Sequence, residues 1–172
     1  DVALGAGQAY VIFGSSSFQS PFDLNKLNGK NGFTVKGLSQ DMLGYSVSGA
    51  GDVNGDGKAD IIIGAPYSSF NNLSHAGQAY VIFGSSSIQN PFNLNTLNGN
   101  NGFIINGLMS GGRLGYSVSG AGDINGDGKA DIIIGAPYSS FNNLTNAGQA
   151  HVIFGSPSFQ NPFNLNSLNG KN

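Results

Sequence analysis

The chain is a succession of short apolar runs separated by turns rich in glycine, asparagine and serine. Leu43–Gly49 alternates apolar and polar positions, which predicts a strand with one apolar face. Asp60–Ala65 carries three consecutive isoleucines and predicts an inner strand that is covered on both sides. Gly77–Gly84 and Gly102–Gly107 are further apolar runs of strand length. These elements predict a chain made mainly of strands.

The pattern is also periodic. Gly7–Gly14 recurs at Gly77–Gly84 and again at Gly148–Gly155, so the period is 70 residues and then 71. Leu43–Leu73 and Leu114–Leu144 differ at one position only. Such periodicity indicates units that cannot bury their own apolar face, and four strands per period predict an all-β fold of four-stranded antiparallel β-propeller blades. Single helical turns are expected at Phe22–Leu27 and Phe92–Leu97.

About two and a third repeats are present, and they predict three units. Residues 1–42 are expected to form a partial blade with the third and fourth strands, residues 43–113 a complete blade, and residues 114–172 a partial blade with the first three strands. Propellers have about four to eight blades. We therefore expect further repeats of a longer chain, or other copies of this chain, as partners.

Two nine-residue stretches, one per repeat, place oxygen-bearing side chains at positions 1, 3, 5 and 9 and glycines at positions 4 and 6. Position 7 can add a backbone carbonyl, and the glycine at position 6 permits a sharp turn. Six of the nine aspartates lie in these stretches, and their carboxylates would repel one another without a cation. The spacing predicts two Ca²⁺ ions per chain, held by Asp52, Asn54, Asp56, Lys58 and Asp60, and by Asp123, Asn125, Asp127, Lys129 and Asp131.

Two other interpretations of these stretches have to be compared with a calcium loop. A polar turn without a metal is the simpler one, because Asn, Asp and Gly are the usual turn residues. An EF-hand or dockerin loop would need a carboxylate at position 12 and an outgoing helix. Position 12 is Ile63 or Ile134, and the flanking residues have strand patterns. The loop is therefore expected to join two strands, with Asp60 and Asp131 closing the site.

The same residues resemble a known family. Leu43-Gly44-Tyr45-Ser46, the Asp loop, Ile63-Gly64-Ala65-Pro66-Tyr67 and Gly77-Gln78-Ala79-Tyr80-Val81 are together similar to the FG-GAP repeat. That repeat builds the β-propeller of integrin α subunits and of many bacterial extracellular proteins. Leu43 and Leu114 stand where the family name has Phe, a conservative change. The resemblance implies calcium in both loops and an extracellular or cell-surface location.

Composition narrows the classes of function. Only 9% of the residues are charged and the formal net charge is −2, so no basic stripe is present for nucleic acid or for an anionic membrane. The apolar runs are too short to span a bilayer, and no membrane insertion is expected. No Gly-x-Ser-x-Gly motif occurs, and the two histidines are not repeat-equivalent. We therefore expect no enzymatic activity.

Other candidate sites lie in the loop after the Gly-Ala-Pro segment. Asn72 and Asn143 begin matching N-glycosylation triplets, although Asn-rich chains also produce such triplets by chance. Four neighbouring aromatic residues are candidates for a contact surface, or simply cover the blade edge: Tyr67, Phe70, Tyr138 and Phe141.

Two functions follow as expectations. The first is a calcium-stabilised extracellular propeller that binds a protein or glycan ligand in cell-surface or matrix adhesion. The second is a structural subunit of an extracellular filament or layer, assembled head to tail from its repeats. The near-identity of the repeats favours the second, whereas the family resemblance fits both.

Overall fold

The structure is a computed structural model that describes residues 5–38 and 40–170. These residues form nine strands and three single 3-10 turns, the latter at Leu24–Lys26, Leu94–Thr96 and Leu165–Ser167. The first two turns agree with the helical turns predicted at Phe22–Leu27 and Phe92–Leu97. In this part of the chain no helix has the length and apolarity required to cross a membrane. The strands are β1 (Gln8–Ile12), β2 (Gly32–Lys36), β3 (Ser46–Gly51), β4 (Asp60–Ala65), β5 (Gln78–Ile82), β6 (Gly102–Asn106), β7 (Ser117–Gly122), β8 (Asp131–Ala136) and β9 (Gln149–Ile153).

The strands form three antiparallel sheets in which spatial order equals chain order. The sheets are β1-β2, β3-β4-β5-β6 and β7-β8-β9. The four-stranded antiparallel meander of the middle sheet is a propeller blade, and the two shorter sheets have the same strand order, so the all-β prediction is confirmed. The first strands of successive blades, β3 and β7, lie side by side. The expected units 1–42 and 114–172 include residues 1–4, 39, 171 and 172, which lie outside the described residues.

The strand predictions differ in accuracy. β4 has the predicted bounds and pairs with β3 on one side and β5 on the other. The strand predicted at Leu43–Gly49 begins later, at Ser46, because Leu43 forms a parallel bridge to Gly7 of the preceding sheet. The Tyr45 amide donates to the Met42 carbonyl oxygen (3.1 Å), so the chain forms a turn just before β3. The strand extends to Gly51 through a bulge.

The apolar core lies between the sheets rather than within one of them. Ile63 and Tyr80 of the middle sheet pack towards β1 and β2. Ile62 and Val81, on the other face of the same strands, pack towards β7, β8 and β9. Each blade thus contributes two apolar faces, as expected for repeats that bury their surface only against a neighbour.

The segment after the third strand of each blade lies along the outer strand of the preceding blade. The Phe92 amide donates to the Thr34 carbonyl oxygen (2.8 Å), and the Thr34 amide donates to Asn90 Oδ1 (2.9 Å). These bonds cover the outer edge of β2, which would otherwise present unpaired groups. The next junction repeats them with Phe163, Ile104 and Asn161.

Candidate metal loops

The two Asp loops occupy equivalent places in successive blades. Residues 52–60 connect β3 to β4, and residues 123–131 connect β7 to β8. Both loops are followed by a strand, so the EF-hand and dockerin interpretations do not apply. The loops containing Asn72 and Asn143 connect the next pair of strands and therefore leave the opposite end of each sheet.

The first aspartate of each loop organises its backbone. Asp52 Oδ1 accepts from the amides of Gly55 (2.8 Å) and Asp56 (3.0 Å), and Oδ2 accepts from Gly57 (2.8 Å). This arrangement needs positive φ at Gly55 (75°) and Gly57 (84°), which glycine adopts without strain. The second loop has the same three bonds at the same distances, from Gly126, Asp127 and Gly128 to Asp123.

The middle of the loop is solvent-exposed and held by local hydrogen bonds. The Asp56 amide donates to Asn54 Oδ1 (3.1 Å), and the Lys58 amide donates to Asp56 Oδ1 (2.9 Å). Partial desolvation raises the pKa of Asp56, but the bonds from Lys58 and Asn54 outweigh it and the net pKa lies below its usual value. In the second loop the Lys129 amide is the main cause of the lowered pKa of Asp127.

The last aspartate of each loop is buried and accepts one backbone amide at each carboxylate oxygen. Asp60 accepts from Val53 at Oδ2 and from Gly84 at Oδ1, both at 2.8 Å. Asp131 accepts in the same way from the amides of Ile124 and Gly155. Burial raises the pKa of Asp60, and the negative charges of Asp52 and Asp56 raise it further, against the lowering effect of the two amides.

The donor set of the loop fits a hard cation. The negative charges of Asp52 and Asp56 add to burial in raising the pKa of Asp60, and a bound cation would offset their repulsion. No three acidic, histidine or cysteine side chains of residues 5–38 and 40–170 are gathered closely enough to hold a metal by themselves. The amide oxygen of Asn54 and the carbonyl of Lys58 would therefore have to complete the set. All of these are oxygen donors, which Ca²⁺ prefers.

At the other end of the sheets lies a cluster of tyrosines that sequence reasoning found only in part. The rings of Tyr45 and Tyr116 are 4.8 Å apart, and the Arg113 guanidinium lies 4.6 Å from the Tyr67 ring and 4.5 Å from that of Tyr138. Of these residues, only Tyr67 and Tyr138 are predicted contact residues. The signals that could have found the others were the repeated Leu-Gly-Tyr-Ser and the one-residue insertion beside Arg113.

Phe70 and Phe141, the other two predicted contact residues, lie in the hairpin tips that carry the glycosylation triplets. The Phe70 and Leu73 backbones donate hydrogen bonds to each other, and Phe141 and Leu144 do the same. Asn72 and Asn143 are exposed at these tips and have positive φ values of 65° and 63°.

Comparison with known proteins agrees with this geometry. A family model described as FG-GAP repeat matches residues 43–82 and 114–153. Integrin alpha-PS2 of Drosophila melanogaster is 31% identical over 163 residues, covering 91% of this chain and 10% of the relative. Integrin alpha-5 of Xenopus laevis is 31% identical over 144 residues (80% and 12%). The phosphatidylinositol-glycan-specific phospholipase D of Homo sapiens is 36% identical over 114 residues (66% and 13%).

Antiparallel sheets that pack face to face, with an Asp loop at the same end of the second and third, are the architecture of a β-propeller repeat protein. The chain spans about a tenth of the length of the relatives it matches. The two matched segments, residues 43–82 and 114–153, belong to the FG-GAP repeat family.

Proposed function

We propose that this chain is a calcium-stabilised extracellular propeller module that binds a protein or glycan ligand in cell-surface or matrix adhesion. The observation that carries the calcium proposal is the pair of loops in which the same three backbone amides donate to the first aspartate at the same distances, so that three aspartates are held in each nine-residue loop. The adhesion part rests on the similarity to two integrin α chains.

Calcium is proposed to stabilise the fold rather than to react. In this proposal the loop's own residues fill the predicted ligand positions, whereas a catalytic metal keeps an open position beside a titratable base. Because an ion that binds only the folded state raises its stability, EGTA should lower the melting temperature and added calcium should restore it. A melting temperature that is unchanged by EGTA would count against the proposal. Calcium-dependent hydrolysis of a generic ester that is lost in Asp60→Ala would overturn the non-catalytic role.

Glycosylation at Asn72 and Asn143 is proposed from their exposure at hairpin tips. Chain secreted by a eukaryotic host should carry glycan mass that is lost in the Asn72→Gln, Asn143→Gln double variant. An identical mass for both proteins would remove this part of the proposal.

A structural subunit is the second candidate, favoured by a specific observation. Residues of the first sheet are exposed where their repeat equivalents are buried: Tyr10 is 47% exposed and Tyr80 is 2% exposed. Further repeats, or other copies of the chain, are the partners that would cover such a face. Electron microscopy of the isolated chain with calcium separates the candidates, because discrete particles support a binding module and continuous fibres support a structural subunit.

A further inference from the structure

Arg113 lies at the junction of the middle and third blades, with a tyrosine from each blade beside its guanidinium group. The guanidinium carbon is 4.6 Å from the centre of the Tyr67 ring and 4.5 Å from that of Tyr138. The Arg113 amide donates to the His75 carbonyl oxygen (3.3 Å), and the Tyr116 amide donates to the Arg113 carbonyl oxygen (3.2 Å). The backbone is thus tied to the fold on both sides of this residue, and the two rings hold the cation between them.

The guanidinium group has no acidic partner within residues 5–38 and 40–170. The ion pairs of this part of the chain join Lys58 to Asp56 and Lys129 to Asp127. Arg113 itself is partly exposed. A guanidinium group carries five N–H donors in a planar fork that matches the two oxygens of a carboxylate. Because no ion pair of the described chain uses this fork, it is available to a carboxylate of a ligand.

The end of the sheets at which Arg113 lies is poor in negative charge. The aspartates of the two Asp loops all lie at the opposite end. Within the part of the chain that the structure describes, Asp41 is the one acidic residue at the Arg113 end, and it is buried. Lys36, at the same end, is exposed. An anionic ligand therefore meets positive charge here without an exposed acidic side chain to repel it.

Tyr45 and Tyr116 form an aromatic platform next to the cation. Their ring centres are 4.8 Å apart, and Tyr45 is 44% exposed. The Tyr45 ring also lies 6.4 Å from that of Tyr67, which links the platform to Arg113. A sugar ring packs its apolar C–H face on such a platform, while its hydroxyl groups bond to the tyrosine hydroxyls.

We propose that Arg113 and the platform of Tyr45 and Tyr116 bind the uronic-acid residues of an acidic glycan. A uronic acid carries its carboxylate on the sugar ring itself, so one residue can use the guanidinium and the platform together. An acidic peptide offers carboxylates without a flat ring beside each of them. This inference rests on the proposed ligand-binding function and names the chemical class of the ligand. The site is specific to this junction, because the repeat equivalent of Arg113 is Met42.

Calorimetric titration of the full chain with hyaluronan hexasaccharide, and with its methyl ester, tests the proposal in the presence of calcium. The wild type should bind the acid about tenfold or more tightly than the ester, because only the acid forms charge-assisted hydrogen bonds. Arg113→Met should remove this preference. It installs the residue of the preceding repeat, where Met42 has nearly the same φ (52° against 55°). Tyr45→Ala should weaken the binding of acid and ester alike.

Lys36→Met is the matched control, because it removes an equal charge at the same end of the sheets and should bind like the wild type. A wild type that does not bind the acid, or a preference for the acid that survives in Arg113→Met, overturns the inference. Equal losses in Lys36→Met and Arg113→Met would show unspecific attraction and also overturn it. Tighter binding of hexa-aspartate than of the hexasaccharide, lost in Arg113→Met, would assign the site to acidic peptides instead.

Failure of this inference is distinguishable from failure of the proposed function. Binding of both acid and ester that is insensitive to Arg113→Met leaves the glycan-binding function standing and removes this site. Calcium binding by the Asp loops is measured separately, by the response of the melting temperature to EGTA.

Discussion

At the scale of single residues, the molecule depends on polar side chains that serve backbone amides. Asp60 and Asp131 are buried carboxylates, and each accepts two amide hydrogen bonds. Asp52 and Asp123 each accept three within the exposed part of the loop. The aspartates therefore shape the loop before any cation is considered, which the ligand spacing alone did not reveal.

His151 is the residue whose replacement should change the pH dependence of stability. It stands where the preceding repeat has Tyr80, and burial lowers its pKa from 6.5. Because the folded state disfavours the imidazolium, the unfolded chain binds more protons as the pH falls through about 6.5, and stability is lost in that direction. The melting temperature should therefore be lower at about pH 5.5 than at about pH 7.5.

The matched variant is His151→Tyr, which installs the residue of the neighbouring repeat. Its melting temperature should fall less than that of the wild type between the two pH values, because the half-buried titrating group is gone. An equal fall in both proteins would show that burial of His151 has no role in the acid sensitivity.

At the scale of elements, the strands were easier to predict than their junctions. β4 was predicted with its observed bounds because three consecutive isoleucines require cover on both faces. The predicted start of β3 at Leu43 was wrong, because Leu43 forms a bridge to the preceding sheet. No local sequence pattern shows such a contact. The bond between Thr34 and Asn90 joins residues 56 positions apart, so it was not predictable either. The two Asp loops were found as loops because all their internal partners are local.

The Asn90 side chain should be a measurable source of stability between the first two blades. Asn90→Ala leaves the partly buried Thr34 amide without its acceptor, which should lower the free energy of unfolding by about 1–3 kcal/mol. Ser20→Ala is the matched control at the equivalent position of the first repeat, and it should have little effect. Chemical denaturation of both variants checks this, and equal losses would contradict the proposed junction.

At the scale of the whole molecule, the two ends of the sheets carry different chemistry. The Asp loops lie at one end, and the exposed tyrosines and the hairpin tips with Asn72 and Asn143 lie at the other. Because the sheets pack face to face, the two ends of each sheet remain accessible. In the proposed function, the end with the Asp loops binds calcium and the opposite end is free to bind a ligand.

The aromatic end was only partly predictable for a physical reason. Tyr67 and Tyr138 come from different blades and are brought together by Arg113, which lies between their rings. A cation between two aromatic rings makes a favourable cation–π interaction with each of them. This arrangement exists only once the blades have stacked. The sequence showed which residues repeat, whereas the stacking decides which of them meet.

Calorimetric titration of the EGTA-stripped chain with calcium tests the central claim most directly. We predict one ion per loop, with a dissociation constant of about 10⁻⁴–10⁻³ M because the loop is short and has few charged ligands. Asp56→Ala and Asp127→Ala should each remove one of the two sites and leave the other. The absence of any calcium-dependent heat, or binding that persists unchanged in both variants, would contradict the account.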